Sequence, residues 1–276
     1  MQIIEQYLQP KGKDTNSCED GYTVTDDFIA VVDGATNKSG MKYKDENPGR
    51  VAMRLAIETI ERLSPSCSAL EAFNEINDTL HDFYQKEGIL KTVTETPSNR
   101  CTASCVIYSN FHRQLWFLGD CTAMIDGNLI QFQKELDSVL ANLRSLMINV
   151  ELSQGATVNQ LLDDDVARKY IVPLLNRQAF LQNSSYECEY TYYVLDGIYP
   201  IEQKHIQVVP VPSTAKEIVL SSDGYPQLFP TLKESEEYLQ HILEVDPLCY
   251  SHFKSTKGMI RENSSYDDRA YIRFKL

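Results

Sequence analysis

The chain has 276 residues, of which 42% are hydrophobic, and its formal net charge is −13 at pH 7. This hydrophobic fraction is enough to build a sizeable core, which excludes a disordered chain. The negative charge argues against a nucleic-acid partner, because binding to DNA or RNA phosphates depends on clustered Lys and Arg.

The sequence carries no signal for a membrane or for an oxidising compartment. No apolar run approaches the roughly 18 residues that span a bilayer, and residues 1–13 lack the apolar centre of a signal peptide. The seven cysteines are odd in number and form no C-x-x-C pair, and the five histidines show no zinc-site spacing. We therefore expect a cytoplasmic protein with no membrane partner, whose oligomeric state the sequence leaves open.

The first predicted elements are a strand region and two helices. Residues 22–32 are β-branched and aromatic and end in an apolar run, which predicts one or two strands followed by Asp33 and Gly34. Apolar residues then recur at helical spacing over residues 51–60. A second helix is predicted to open at Ser68, because Glu71 three residues later completes a capping box.

The middle of the chain predicts strands and then helices. Strand patterns cover residues 101–108, 114–118 and 121–132, the last with a hairpin turn at Asp126-Gly127. Residues 133–182 are mostly helical in pattern. The acidic triplet 163–165 precedes the last of these helices, and stabilisation by the helix dipole explains it better than a metal site does.

The remaining pattern predicts a hairpin over residues 190–209, a strand over 217–220, a helix over 234–243 and a final strand over 270–274. Strands that come in hairpins, with helices between the groups, do not match the alternation of a parallel sheet. We expect one α+β domain over residues 1–276, with stacked antiparallel sheets and helices packed outside them.

Four acidic positions share one context, since each stands at the edge of a predicted strand beside turn residues. They are Glu19-Asp20, Asp33-Gly34, Asp223-Gly224 and Asp267-Asp268. Ligand sets made only of oxygen suit Mg²⁺ or Mn²⁺. Asp-Gly is also a common turn pair, however, and periodicity alone does not separate these positions from the pairs at 126–127 and 196–197.

Five segments, in order along the chain, resemble the motifs of the type 2C family of metal-dependent serine/threonine protein phosphatases. In that family an Asn-Glu-Asp triplet precedes a strand ending in Asp-Gly, and later motifs contain Gly-Asp, Ser-Asp-Gly and a terminal Asp-Asp or Asp-Asn. The resembling segments are residues 19–34, 102–103, 118–123, 218–224 and 265–272.

The resemblance implies a four-layer α-β-β-α sandwich with two divalent cations, Mn²⁺ or Mg²⁺, at one edge. It also assigns ligands, with Asp33 bridging both ions, Asp223 and Asp267 on one of them, and the Gly34 carbonyl on the other. Glu19 would act through water with Asp20 close by. Asp120 is the candidate ligand of a third ion, although Gln227 stands where the family often has another aspartate for that ion.

The implied reaction removes phosphate from phosphoserine or phosphothreonine in a protein substrate. Two cations about 3.5–4 Å apart hold a bridging water and bring its pKa down to about 7, so that it attacks phosphorus directly. Asp33, Asp223 and Asp267 would be the catalytic ligands, and no cysteine nucleophile is needed.

The phosphate-binding arginine of the family has no counterpart here, because Thr15 stands at its position. Lys13 and Lys38 are the candidate replacements, although an ammonium group cannot make the bidentate contact of a guanidinium. Two alternatives to a protein phosphatase therefore stay open. One is a catalytically silent relative that binds a partner, and the other is a phosphatase of small phosphorylated molecules.

Overall fold

The computed structural model describes residues 1–276 and contains two five-stranded sheets in which all neighbouring strands are antiparallel. The strands are, in chain order, β1 (Gln2–Gln9), β2 (Asp20–Val24), β3 (Phe28–Gly34), β4 (Ala103–Ser109), β5 (Gln114–Leu118), β6 (Thr122–Ile125), β7 (Asn128–Ile130), β8 (Gln207–Pro210), β9 (Glu217–Ser221) and β10 (Arg269–Lys275). Sheet one has the order β1-β10-β9-β6-β7, and sheet two has the order β2-β3-β4-β5-β8.

Seven α-helices accompany the sheets. They are α1 (Pro48–Ile60), α2 (Ala69–Lys86), α3 (Leu90–Glu95), α4 (Glu135–Ser153), α5 (Val158–Asp163), α6 (Val166–Arg177) and α7 (Leu232–Val245). None of them combines the length and the apolar character that crossing a bilayer requires.

The alternation of side chains along each strand produces the layers. In β3, Phe28 and Val32 join the core between sheet two and α1 and α2, whereas Ile29 joins the core between the two sheets. Such a strand is buried on both faces, which explains why it reads as a continuous apolar run. In β10, Ile272 faces sheet two, and Tyr271 faces the layer that includes α7.

The order of layers is therefore helices α1 and α2, sheet two, sheet one and helix α7. This confirms the predicted α+β class and the four-layer α-β-β-α sandwich. Helices α4, α5 and α6 form an insertion between β7 and β8 that packs through two small apolar clusters, one of which also includes Leu248 from the segment after α7.

Local signals place several boundaries as predicted. The Ser68 side chain accepts from the Glu71 amide, and the Glu71 carboxylate accepts from the Ser68 amide, so the capping box of α2 is formed. Asp126, with a positive φ, makes the tight β6–β7 turn. The acidic triplet ends in Asp165, which is the N-cap of α6.

The predicted hairpin over residues 190–209 is wrong. Only β8 is a strand there, and the preceding segment is irregular apart from single bridges such as that between Ala103 and Leu195. The Asp196 side chain is fully buried and pairs with Arg100 at 3.0 Å, so it anchors the segment instead of turning a hairpin. Strand β1 was not predicted, because its side chains are at most half-buried along an outer edge.

We predict that Gly49→Ala destabilises the fold. Alanine is favoured over glycine in helices, yet a Cβ at position 49 would lie 2.6 Å from the Ala35 carbonyl oxygen and 2.8 Å from the Gly34 carbonyl carbon. Crowding of this kind lowers the free energy of unfolding by about 1–3 kcal/mol. Thermal and urea unfolding would measure it, with Gly12→Ala as the control because only one atom, at 3.4 Å, lies near that position. Equal stability of the two variants would contradict the prediction.

Candidate functional site

Carboxylates converge at one end of the sandwich because strands from both sheets begin or end there. In sheet two, Asp20 opens β2 and lies directly opposite Asp33 at the end of β3. Ser104 of β4 is the next partner of Asp33 across the sheet. Asp120 follows β5 by two residues and accepts from the Ser104 hydroxyl at 2.5 Å.

Sheet one contributes the opposite side of the same edge. Asp223 follows the end of β9, and Asp267 precedes the start of β10. The Asp223 backbone amide points at the Asp33 carboxylate with an N to O distance of 3.5 Å, a long contact between the backbone that follows β9 of sheet one and a side chain of sheet two. The predicted ligand positions therefore lie at one edge, drawn from both sheets.

The glycines that follow two of these aspartates are required by close packing. A Cβ on Gly34 would lie 2.5 Å from the Glu19 carbonyl oxygen, and a Cβ on Gly224 would overlap the Asp268 carbonyl oxygen. Neither glycine has a positive φ. In contrast, the glycine of the β6–β7 turn, Gly127, has a φ of 82° and open space around its Cα. The two kinds of Asp-Gly pair thus differ in why glycine is needed.

Asp268 fixes the N-terminal segment against this edge. Its carboxylate accepts from the Lys11 amide at 2.8 Å and from the Glu19 amide at 3.1 Å. Because Asp268 is buried, these two bonds stabilise the approach of the segment that carries Glu19 and Asp20. This side chain positions other residues of the site.

Burial and mutual repulsion raise the pKa values of several of these acids. Burial and then the charges of Asp267 and Asp268 raise the pKa of Asp20. Removal from bulk water, followed by the charges of Asp20 and Asp120, raises the pKa of Asp33. The side chain of Asp223 is exposed to a pocket, but surrounding protein and then Asp33 still raise its pKa.

Lysines offset the charge of the other acids. Burial works against the ionisation of Asp267, but contact with the Lys257 ammonium and the charge of Lys11 outweigh it, so the pKa of Asp267 is lowered. Lys11 also lies 3.5 Å from Glu19 and 3.1 Å from Asp268.

Asp120 has a counter-charge of its own. Burial works against its ionisation, but Lys134, whose Nζ lies 2.7 Å from the carboxylate, and the Ser104 hydroxyl outweigh it and lower the pKa of Asp120. The acidic edge is thus divided between carboxylates that protein cations already contact and carboxylates that none contacts.

These side chains open into a pocket of about 360 Å³. Asp33, Asp120, Asp223 and Asp267 line it, and so does Lys38. Burial, followed by the charges of Lys257 and Arg168, lowers the pKa of Lys38 to about 8. Lys13 does not line the pocket and pairs with Glu262 on the surface, with an Nζ to carboxylate distance of 2.6 Å.

The oxygen atoms at this edge are the type of ligand that a hard divalent cation prefers. The side chains that carry them are not yet positioned to bind one. Oδ2 of Asp20 and Oε1 of Glu19 are buried without a hydrogen-bond partner, and buried carboxylate oxygens left in that state are costly. As the side chains stand, no group of three His, Cys, Asp or Glu residues is arranged to hold a metal ion. A cation would satisfy the orphaned oxygens and relieve the repulsion around Asp33.

Sequence reasoning missed the cations that complete the site. Lys11, Lys134 and Lys257 each lie 8 to 14 residues from a carboxylate that they contact, a separation that no helical or strand period links, so no local pattern marks them. Burial and then the charge of Asp268 raise the pKa of the Cys18 thiol to about 12, which disfavours the thiolate that a nucleophile needs.

The chain shares its fold with bacterial serine/threonine phosphatases. It superimposes on the phosphatase Stp1 from Staphylococcus aureus with a TM-score of 0.52 and 12% identity, covering 100% of this chain and 95% of that one. A second structure, a bacterial serine phosphatase, gives a TM-score of 0.51 with 13% identity and coverages of 99% and 96%. No protein-family model matches the sequence, and no curated protein is significantly similar to it. These likenesses confirm the fold.

We predict that Asp33→Asn stabilises the metal-free protein. The folded pKa of Asp33 lies above its unfolded value of about 3.9. Its contribution to stability is therefore full below that value and is lost as pH rises through the folded pKa. Removing the charge should raise the Tm at neutral pH, by about 2–4 °C for each 1 kcal/mol, and flatten the fall of Tm above pH 4.

The measurement is thermal unfolding from pH 4 to 8 in the presence of a chelator. Asp26→Asn is the control, because Asp26 is an exposed turn residue away from the pocket. A lower Tm for Asp33→Asn, or an unchanged pH slope, would count against repulsion at this edge.

Proposed function

We propose that this protein is a metal-dependent phosphohydrolase that removes phosphate from phosphoserine or phosphothreonine in proteins. The observation that carries the proposal is the convergence of carboxylates from both sheets on one pocket that also contains unpaired basic groups. Support comes from the buried, unpartnered oxygens of Glu19 and Asp20, which a divalent cation would satisfy.

In this proposal Asp33 and Asp223 hold the cations, together with Asp267 once it is free of Lys257. Asp20, Glu19 and the Gly34 carbonyl complete the surroundings, and Asp120 is available to a third ion when Lys134 releases it. Bound divalent cations supply positive charge against the phosphoryl oxygens and lower the pKa of a water molecule. The family resemblance of the motifs favours Mn²⁺ or Mg²⁺ for this role.

Lys38 supplies the first contact to the phosphoryl group. Its ammonium lines the pocket and has no carboxylate within 4 Å. A pKa of about 8 leaves it mostly charged at neutral pH. A pocket of this volume accommodates a phosphorylated side chain as well as a small phosphorylated molecule, so the choice of a protein substrate rests on the resemblance. Comparing phosphopeptides with free phosphometabolites at equal concentration separates the two.

A catalytically silent binding protein is the second candidate, and a specific observation favours it. Lys257 contacts Asp267, Lys11 lies 3.5 Å from Glu19, and Lys134 lies 2.7 Å from Asp120. These internal cations neutralise acids that the enzymatic proposal assigns to metal. If they hold those positions permanently, the pocket binds a ligand without hydrolysing it.

We predict that phosphothreonine-peptide hydrolysis requires Mn²⁺ or Mg²⁺ and falls by about 100-fold or more in Asp223→Asn and Asp33→Ala. Loss of one ligand removes part of the charge stabilisation, and even residues that only support metal ligands contribute about 10–100-fold. Phosphate release would be measured with each metal and with a chelator. Asp26→Asn should behave as the unaltered protein. Hydrolysis that persists in the chelator would exclude the metal-dependent mechanism.

We predict that Lys257→Met strengthens Mn²⁺ binding by about tenfold, equivalent to about 1.4 kcal/mol. The ammonium and the cation compete for Asp267, so removing the ammonium leaves that carboxylate free. Calorimetry on the metal-free protein measures the change. Lys233→Met, on the exposed face of α7, is the control. The silent alternative predicts no Mn²⁺ binding in either variant and only a loss of stability in Lys257→Met.

A further inference from the structure

The part of the pocket lined by the helical insertion contains an arginine that the proposed function does not yet use. Arg168 lies in the first turn of α6, within the helical insertion, and is half-buried where it lines the pocket. Its guanidinium donates to the Thr256 carbonyl and has no carboxylate within 4 Å. A half-buried guanidinium with a single backbone partner keeps several donors unused.

Most of the other basic residues of the pocket already have a partner for their charge or their donors. Six basic side chains line the pocket: Lys38, Arg100, Lys134, Arg168, Lys254 and Lys257. Three are ion-paired, since Arg100 contacts Asp196, Lys134 contacts Asp120 and Lys257 contacts Asp267. Lys254 is exposed and donates to Asn142. Lys38 and Arg168 are therefore the two half-buried cations left without an anionic partner.

A buried network holds Arg168 in place. Asp165, the N-cap of α6, accepts from the Arg168 amide at 2.9 Å and from the Arg144 guanidinium at 2.6 Å. Arg144 is fully buried and also donates to the carbonyl of Ser255, next to Thr256. The first turn of α6 and the loop that receives the Arg168 guanidinium are thus fixed by one side chain, which is what preorganised recognition needs.

We infer that Arg168, together with Lys38, binds the phosphoryl group of the substrate from the insertion side of the pocket. This inference rests on the proposed function for the identity of the ligand. A planar guanidinium offers paired donors that match two phosphoryl oxygens, which the ammonium of Lys38 cannot do. The helical insertion then supplies the bidentate group that is missing where Thr15 stands, and Arg168 becomes a specificity-determining residue.

The test measures binding separately from turnover. A phosphothreonine peptide and its unphosphorylated counterpart are titrated by calorimetry into the full chain in the presence of a chelator. Arg168→Ala should weaken binding of the phosphorylated peptide by about 10- to 100-fold, the range for one charge-assisted hydrogen-bonded contact. Arg168→Lys should bind the phosphorylated peptide with an affinity between those of the unaltered protein and Arg168→Ala. Lysine keeps the positive charge but lacks the paired donors of the guanidinium. Arg177→Ala, at the exposed end of the same helix, is the charge-matched control and should leave binding unchanged.

Steady-state kinetics with Mn²⁺ provide the second measurement. Arg168→Ala should raise KM for the phosphopeptide by a similar factor and change kcat less, whereas loss of folded protein would lower kcat at constant KM. Binding and KM equal to those of the unaltered protein would overturn the inference, as would equal losses in Arg168→Ala and Arg177→Ala. Arg168-dependent binding without hydrolysis would support the inference while refuting the enzymatic function.

Discussion

Carboxylates from both sheets meet at one end of the sandwich, where burial and mutual repulsion oppose their ionisation. Asp20 and Asp33 are direct neighbours across β2 and β3, and the end of β9 brings Asp223 beside them. Burying two like charges beside each other costs free energy unless a positive charge lies close to them. The loops around this edge place lysines beside some of these carboxylates, and loop residues also line the pocket.

The positive charge comes from segments outside the sheets. Lys11 follows β1, Lys134 precedes α4, and Lys257 lies in the long connection between α7 and β10. The same connection and the insertion are joined through Arg144, which donates to the carbonyls of Leu248 and Ser255. Loss of Arg144 would leave the Asp165 carboxylate without this counter-charge, a change that costs about 3–5 kcal/mol at buried sites. The loops therefore complete the electrostatics that the sandwich alone leaves unbalanced.

The layers of this fold could be predicted because each depends on a local pattern. The apolar run of β3, the capping box at Ser68 and the turn at Asp126 are set by neighbouring residues, and all three formed as predicted. The hairpin over residues 190–209 failed because Asp196 is buried against Arg100, a partner 96 residues away. Sequence periodicity does not reveal such a tertiary contact. It also does not reveal which lysines contact the carboxylates of the acidic edge.

The position of those lysines sets the energetics of any cation that enters. Lys257 is tethered beside Asp267, so it competes at a high effective concentration, but it carries one charge where a divalent ion carries two. A cation that also satisfies the free oxygens of Asp20 and Glu19 gains contacts that the ammonium does not make. The balance thus depends on carboxylates that Lys257 does not contact. If a cation displaces Lys257 from Asp267, the released ammonium still lines the pocket near Lys38. There it adds to the positive charge around an incoming phosphate.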